Sequence, residues 1–119
     1  MASLNRVQLI GNLGKDPETS YTSGDSPLAI ARISLCTNRK YKDAQGQMQE
    51  ESEWHRVVAF GRVAEVAQTY LRKGSSAFIE GRLRSRKYTD KDGVQRYVTE
   101  VIAESLQLLD KKDPAQEAG

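Results

Sequence analysis

Trp54, Arg56, Val58 and Phe60 alternate along the chain with His55, Val57 and Ala59. In an extended chain successive side chains point to opposite sides, so Ser52, Trp54, Arg56, Val58 and Phe60 share one face and Glu53, His55, Val57 and Ala59 the other. A second run repeats the pattern. Its even positions are Phe78, Glu80, Arg82, Arg84, Arg86 and Tyr88; its odd positions are Ala77, Ile79, Gly81, Leu83 and Ser85. The odd set is small and apolar, as the inside of a barrel requires, while the even set is cationic and ends in a tyrosine. Guanidinium groups hold phosphates, and aromatic rings stack on bases whatever their identity, so this mixture suits an unpaired nucleic-acid strand. Each such stack is worth roughly 1–3 kcal/mol. Phe60, at a strand end, fits core packing almost as well. For Trp54 the surface role is favoured, because Arg56 and Ser52 share its side.

Charge distribution points the same way. The net charge is only +2, but Arg56 to Arg96 holds ten basic residues against four acids. Residues 100–119 hold five acids against Lys111 and Lys112. A basic middle of this kind favours a polyanion. Within it, Arg56, Arg62, Lys73, Arg84, Arg86, Lys87 and Arg96 are candidate phosphate contacts, and Tyr88 a candidate stacking residue. Tyr41 lies in a polar loop where a buried role is hard to justify. Tyr70 and Tyr97 are expected to pack against the barrel.

Catalytic chemistry has weaker support. Gly11-Asn12-Leu13-Gly14-Lys15 lacks the full spacing and the Ser or Thr of a phosphate loop, and reads as a glycine bend after a strand. Glu50, Glu51 and Glu53 fit a charged hairpin stem better than a metal site, with no histidine beside them. His55, the only histidine, faces away from the Trp54 row with no nucleophile nearby, which suits a core or subunit-interface residue. Cys36 is expected to act as a small hydrophobe. No enzymatic activity, metal or cofactor is expected. An RNA-binding relative, or a scaffold whose basic face meets an acidic protein, are the alternatives.

The elements that must position these residues follow from periodicity and turn signals. A β-rich start, Leu4 to Gly14, is broken by Lys15-Asp16-Pro17. Leu28 to Thr37 forms a second strand, Asn38 to Glu51 an extended hairpin loop with Gly46 at its tip, and Ser52 to Phe60 a third strand. Val63, Val66, Ala67, Tyr70 and Leu71 make one helical stripe, with Arg72 and Lys73 at its negative end and Gly74 as its C′ residue. A fourth strand spans about Ala77 to Tyr88, Asp92-Gly93 turns the chain, and a fifth starts near Gln95 and continues towards Leu106 or Leu109. The fold class is therefore all-β with one helix: a five-stranded OB barrel with the helix between strands three and four.

The 119 residues, 38% hydrophobic and 29% charged, fit one domain at 1–109 followed by a short, frayed tail at 110–119. The core is small, so self-association is expected to bury more surface. No apolar run approaches the roughly 20 residues of a membrane span. Met1-Ala2-Ser3-Leu4-Asn5-Arg6 is not a secretory pattern, and a cytoplasmic, nucleoid-associated location is expected.

Two long motifs carry a resemblance. Leu4 through Glu18 (Leu4-Asn5-Arg6-Val7-Gln8-Leu9-Ile10-Gly11-Asn12-Leu13-Gly14-Lys15-Asp16-Pro17-Glu18) resembles the opening signature of the bacterial single-stranded DNA-binding protein family, and Glu53-Trp54-His55-Arg56-Val57-Val58-Ala59-Phe60-Gly61 its second signature. Ala64-Glu65-Val66-Ala67, Tyr70-Leu71-Arg72-Lys73-Gly74-Ser75 and Ile79-Glu80-Gly81 through Arg86-Lys87 continue the match, which covers about residues 4–104. The resemblance implies an OB-fold homotetramer that wraps single-stranded DNA in replication, repair and recombination, without catalysis. It implies stacking by Trp54 and Phe60, and by Tyr41 and Tyr88 where the family has tryptophans. It further implies subunit contacts near His55 and along the first strand, at Val7 and Leu9. Members commonly end in an acidic, Asp-rich tip with Pro-Phe that recruits replication and repair proteins. Replication and repair proteins are candidate partners, although these 119 residues hold no such tip sequence.

Overall fold

The computed structural model describes residues 2–109; the expected tail at 110–119 lies outside the described residues. Six strands and one helix follow in the order β1 (Val7–Leu13), β2 (Glu18–Tyr21), β3 (Ala29–Lys42), β4 (Met48–Phe60), α1 (Gly61–Tyr70), β5 (Ser76–Thr89) and β6 (Gln95–Leu108). The sheet runs β1-β5-β6-β4-β3-β2, and a further β1–β3 pairing closes it. Closure uses Asn12 opposite Cys36 and Leu13 opposite Leu35. Five strands thus make the expected OB-type barrel, with α1 between β4 and β5. The sixth, β2, is added on β3, Glu18 to Tyr21 lying opposite Arg32 to Ala29. No apolar alternation marks that four-residue strand, whose sequence is polar and whose partner is its only support.

The interior follows strand parity. Ala29, Ala31, Ile33 and Leu35 of β3, Val57 and Ala59 of β4, Ala77 and Ile79 of β5, and Val101 and Ala103 of β6 point inward with Leu13. Ala64, Ala67 and Leu71 of the helical segment close the bottom. Half of the fourteen core residues are alanine, which suits the narrow inside of a five-stranded barrel. Ala67 and Leu71 of the expected stripe face the core and Val63 packs against it; Ala64 joins them, while Tyr70 is exposed. Arg72 does cap the helix end, its Nη1 donating to the carbonyls of Gln68 and Leu71. Gly74 sits beyond the cap residue Leu71, in the next turn. Nor does Gly11 make a bend; it stays in β1 opposite Ala77, where a Cβ would meet the Cys36 carbonyl at 2.3 Å.

Two long ribbons, β3–β4 and β5–β6, run past the barrel. Asn38 to Glu51 is not a loop: β3 pairs with β4 as far as Lys42 opposite Met48. On β5 the pairing with β6 shifts between Glu80 and Gly81. Beyond that point the odd positions no longer face a core, so Leu83 and Ser85 are exposed rather than interior.

Both ribbons end in the same tip, Asp-x-x-Gly-x. In each, the glycine N–H donates to the aspartate carbonyl, and the aspartate N–H to the carbonyl of the residue after the glycine. Gly46 and Gly93 have φ of 79° and 78°, as a type I turn closed by a glycine bulge demands. Asp43 Oδ1 accepts from the N–H groups of Gln45 and Gln47, and Asp90 Oδ1 from those of Asp92 and Val94, all at 2.9 Å. The Gln47 N–H holds the Asp43 carboxyl below its ordinary value of 3.8. The Arg96 guanidinium does the same for Asp90, with help from the Val94 N–H. A depressed folded pKa means the tip is fully stabilised above that ordinary value and loosens as pH falls through the folded one. The backbone amide nitrogen shifts of Gln47 and Val94 should accordingly titrate with midpoints below 3.8. Asp43→Asn should abolish the first titration and leave the second.

Candidate nucleic-acid interface

Because the barrel interior is small, aromatic residues are kept out of it. None of the eight aromatic residues in the sequence is buried. Trp54, Tyr41, Tyr70, Tyr88 and Tyr97 are exposed, and Phe60 and Phe78 are partly covered. Aromatic side chains ordinarily dominate cores, so their exposure here makes the outer surface the candidate site. Tyr70 and Tyr97 do not pack against the barrel as expected.

Trp54 lies opposite Cys36 on β3 and is 59% exposed. Its ring rests on Gly14: a Cβ there would fall 2.5 Å from two indole carbons. The indole is thus propped on bare backbone with its outer surface free. From Trp54 the even face of β4 passes Arg56 and Val58 to Phe60. Register brings the even face of β3 alongside, with Ser34 opposite Arg56, Arg32 opposite Val58 and Ile30 opposite Phe60. Arg32, Ser34 and Arg56 line a groove with Lys15, whose ammonium pairs with Glu18 at 2.6 Å. Arg32 also reaches an adjoining cavity formed with Ile30, Val58, Phe60, Arg84, Arg86 and Glu100. Arg32 was not singled out from sequence, since only the β3–β4 register puts it beside this row.

Beyond Phe60 the surface continues onto β5 and β6. The Arg84 guanidinium lies 5.9 Å from the Phe60 ring centre, and that of Arg86 6.0 Å from Tyr88. Arg84, Arg86 and Tyr88 stand opposite Glu100, Val98 and Arg96, so Arg96 shares their face. Arg96 also pairs with Asp90 at 2.9 Å. Glu100, like Arg32, is a residue that sequence alone missed. Its side chain is 2% exposed, and its Oε1 accepts from Arg84 Nη2 at 2.7 Å and Arg86 Nε at 3.1 Å. Burial pushes this carboxyl up, but the hydrogen bonds and charges of the two arginines outweigh it and hold the group below 4.5. Counting back from the Asp90–Gly93 turn would have found it, because the hairpin register sets Arg84 opposite Glu100.

Not every expected residue joins the row. Tyr41 lies opposite Gln49, on the odd side of the ribbon away from Trp54, with the Arg39 guanidinium 4.8 Å from its ring. Lys87 lies opposite Tyr97 on the far side of β5–β6, 5.6 Å from that ring. Arg62 projects from α1 beside Glu65, Val66, Thr69 and Tyr70. Lys73 follows the helix, its backbone N–H donating to Asp16 at 2.8 Å. These four belong to other surfaces. Among the described residues no ion pair ties up Arg56, and no group of three or more His, Cys, Asp or Glu residues could hold a metal.

His55 is half-buried on the inner side of β4, its Nε2 2.9 Å from Thr37 Oγ1. Cys36, on the Trp54 side of β3, is half-buried rather than enclosed in the core. Val7 and Leu9 pack partly against the core, while Ile10 stands exposed opposite Phe78. The described pairing of β1 with β3 involves only Asn12 and Leu13. From Val7 to Gly11, therefore, β1 has a partner along one edge alone.

Comparison with known proteins adds a second line. Residues 4–109 match the Single-strand binding protein family. The single-stranded DNA-binding protein of Xanthomonas campestris pv. campestris is 51% identical over 106 residues, covering 89% of this chain and 60% of its own length. Single-stranded DNA-binding protein 1 of Xylella fastidiosa is 46% identical over 119 residues, covering 100% of this chain and 87% of its own. The chain thus spans 60% of the length of the Xanthomonas campestris relative. Among solved structures, the Plasmodium falciparum SSB in complex with ssDNA superimposes with a TM-score of 0.80 at 30% identity, over 92% of this chain and 98% of that one. A deletion mutant of the single-stranded DNA binding protein from Thermus aquaticus gives 0.78 at 39% identity, over 90% and 51%. By its closed barrel, its outward aromatic and arginine row, and a match over nearly its whole described length, this chain belongs to the single-strand binding protein family.

Proposed function

We propose that this protein binds single-stranded DNA without regard to sequence, and that binding rather than catalysis is its activity. One observation carries the reading: a single outward face holds Trp54, Arg56, Arg32, Phe60, Arg84, Arg86 and Tyr88, contributed by three strands, β3, β4 and β5. Rings stack on bases and guanidinium groups meet phosphates, so the face needs no base edge to read. The Plasmodium SSB bound to ssDNA, alike in fold over 92% of this chain, supports the same ligand. Trp54, Phe60 and Tyr88 are the stacking residues of this proposal. Arg32, Arg56, Arg84, Arg86 and Arg96 are its phosphate contacts. Tyr41, Lys87, Arg62 and Lys73, on other surfaces, would meet DNA only where the strand leaves the row and wraps further.

Wrapping requires more than one copy, and the half-partnered edge of β1 offers a means. Bare strand edges invite pairing with another chain. Pairing there would cover exposed Ile10 and bring a second copy close to Val7 and Leu9. A homotetramer built partly through β1, with His55 near its contacts, is the assembly proposed. Protection of exposed strands during replication, repair and recombination in the cytoplasm would follow from such binding. Among the described residues no helix is long and apolar enough to cross a membrane.

Trp54 is the sole tryptophan, so its fluorescence reports directly on the site. Oligo-dT should quench it, and Trp54→Ala should cost about 1–3 kcal/mol of binding. An RNA oligomer of equal length serves as the comparison. Normal binding by the alanine variant, with no quenching in the parent protein, would remove Trp54 from the interface. Gly14→Ala should weaken binding with less effect on melting than on affinity, because its methyl group displaces the indole. The logarithm of affinity should fall with the logarithm of salt by about 0.7 for each phosphate neutralised. Light scattering with and without oligo-dT should give four copies per assembly; a monomer under both conditions would refute the proposed oligomer.

A further inference from the structure

Resting on the DNA-binding proposal, we infer that Glu100 is a parking site for Arg86: the guanidinium rests on this carboxylate in the free protein and transfers to a phosphate when DNA binds. The two arginines meet one oxygen unequally. Arg84 Nη2 holds Glu100 Oε1 at 2.7 Å, its side chain is 37% exposed, and its Nε is buried without a partner. It also lies over Phe60. Arg86 makes the longer bond, 3.1 Å through Nε, and is 45% exposed beside Tyr88. Arg84 is therefore the fixed partner and Arg86 the exchangeable one.

The energetics decide that division. A buried carboxylate left without any partner is strongly destabilising, so both arginines cannot leave together. With Arg84 in place, Glu100 keeps a charged hydrogen bond and Arg86 is free to move. Arginine and phosphate match well, since the guanidinium fork donates two parallel N–H groups. The bond Arg86 makes to Glu100 uses only Nε, leaving its outer N–H groups as the first point of contact for an arriving phosphate. Transfer still has a cost, namely the bond to the carboxylate and the nearness of that negative charge to the phosphate. Glu100 is thus a positioning residue that lowers affinity and hastens release while keeping Arg86 aimed between Phe60 and Tyr88.

Glu100→Gln removes the charge and keeps an oxygen acceptor for both arginines. It should bind oligo-dT roughly 3- to 30-fold tighter at low salt, the gain shrinking as salt screens the charge. The salt slope should steepen by up to about 0.7, the equivalent of one phosphate. Unchanged or weaker binding by a folded variant would overturn the inference. Should that variant fail to fold, the unaltered protein decides. In its complex with oligo-dT, the Arg86 side-chain Nε–H resonance should shift much more than that of Arg84. An Arg86 resonance that stays in place while Trp54 fluorescence is quenched overturns the transfer and leaves DNA binding intact. Absence of any oligo-dT binding would instead refute the DNA-binding proposal beneath it.

Discussion

Closing five strands on themselves leaves a narrow interior, which here is filled by alanine, valine, isoleucine and leucine and holds no aromatic ring. Everything distinctive about this surface depends on that restriction. Inward positions on β3, β4, β5 and β6 alternate with outward ones, so each small inward residue forces its neighbours outside. Val57 and Ala59 inside place Arg56 and Phe60 outside, and Ala77 and Ile79 set the phase that carries Arg84, Arg86 and Tyr88 to the same exterior. The helix packs against β3, β4 and β6, and its Ala64 and Ala67 join the same core. Stability and binding therefore draw on opposite parities of the same strands. A ring that is costly to expose in most proteins has no alternative here.

That logic ends where the strands outrun the barrel. Along the two ribbons both faces are wet, and parity no longer distinguishes a core from a surface. Leu83 is the clearest case: it continues the apolar odd series of β5, yet it is exposed because the shift at Glu80 and Gly81 carries the ribbon away. Tyr41 and Lys87 illustrate the converse. Each lies on a ribbon near a row residue in sequence but on the opposite side, and each is accompanied by its own cation or ring, Arg39 or Tyr97. The ribbons are two-sided, and a strand of DNA turning around a ribbon edge would meet rings and cations on both surfaces.

What was legible in the sequence was local or periodic. The order of five barrel strands and one helix, the Asp-x-x-Gly turns and the Trp54–Arg56–Phe60 face all follow from residues within a few positions of one another. What was not legible depended on closure. β2 is four polar residues held by the edge of β3. Arg32 joins the row through a register fixed only once Val58 is known to lie opposite it. On the helix the core takes Ala64 beside the expected Ala67 and Leu71, while Tyr70, at the helix end, stands in solvent. Gly14 does lie in the bend after β1, as its sequence suggests, but it also leaves space under an indole that comes from forty residues further along the chain. Glu100 is the instructive intermediate, because one hairpin register would have revealed it, yet composition counted it with the acidic end of the chain.

The buried carboxylate also separates two contributions to binding that are otherwise confounded. In the proposed complex, stacking on Trp54, Phe60 and Tyr88 would depend little on salt, whereas phosphate contacts would weaken steeply with it. A face built only of rings would hold DNA tightly in any salt and release it slowly. One built only of free arginines would be strong in dilute salt and weak at physiological strength. Glu100 acts on the charged part alone: it cancels one cation of the Arg84–Arg86 pair without touching a ring. Its position beneath the arginines, rather than among them at the surface, means that the cancellation costs no contact area. Sequence-independent binding has to be reversible to be useful, since a strand that is covered must also be handed on. In this fold the grip is fixed by rings the barrel cannot swallow, and its strength can be set by a single charge placed under them.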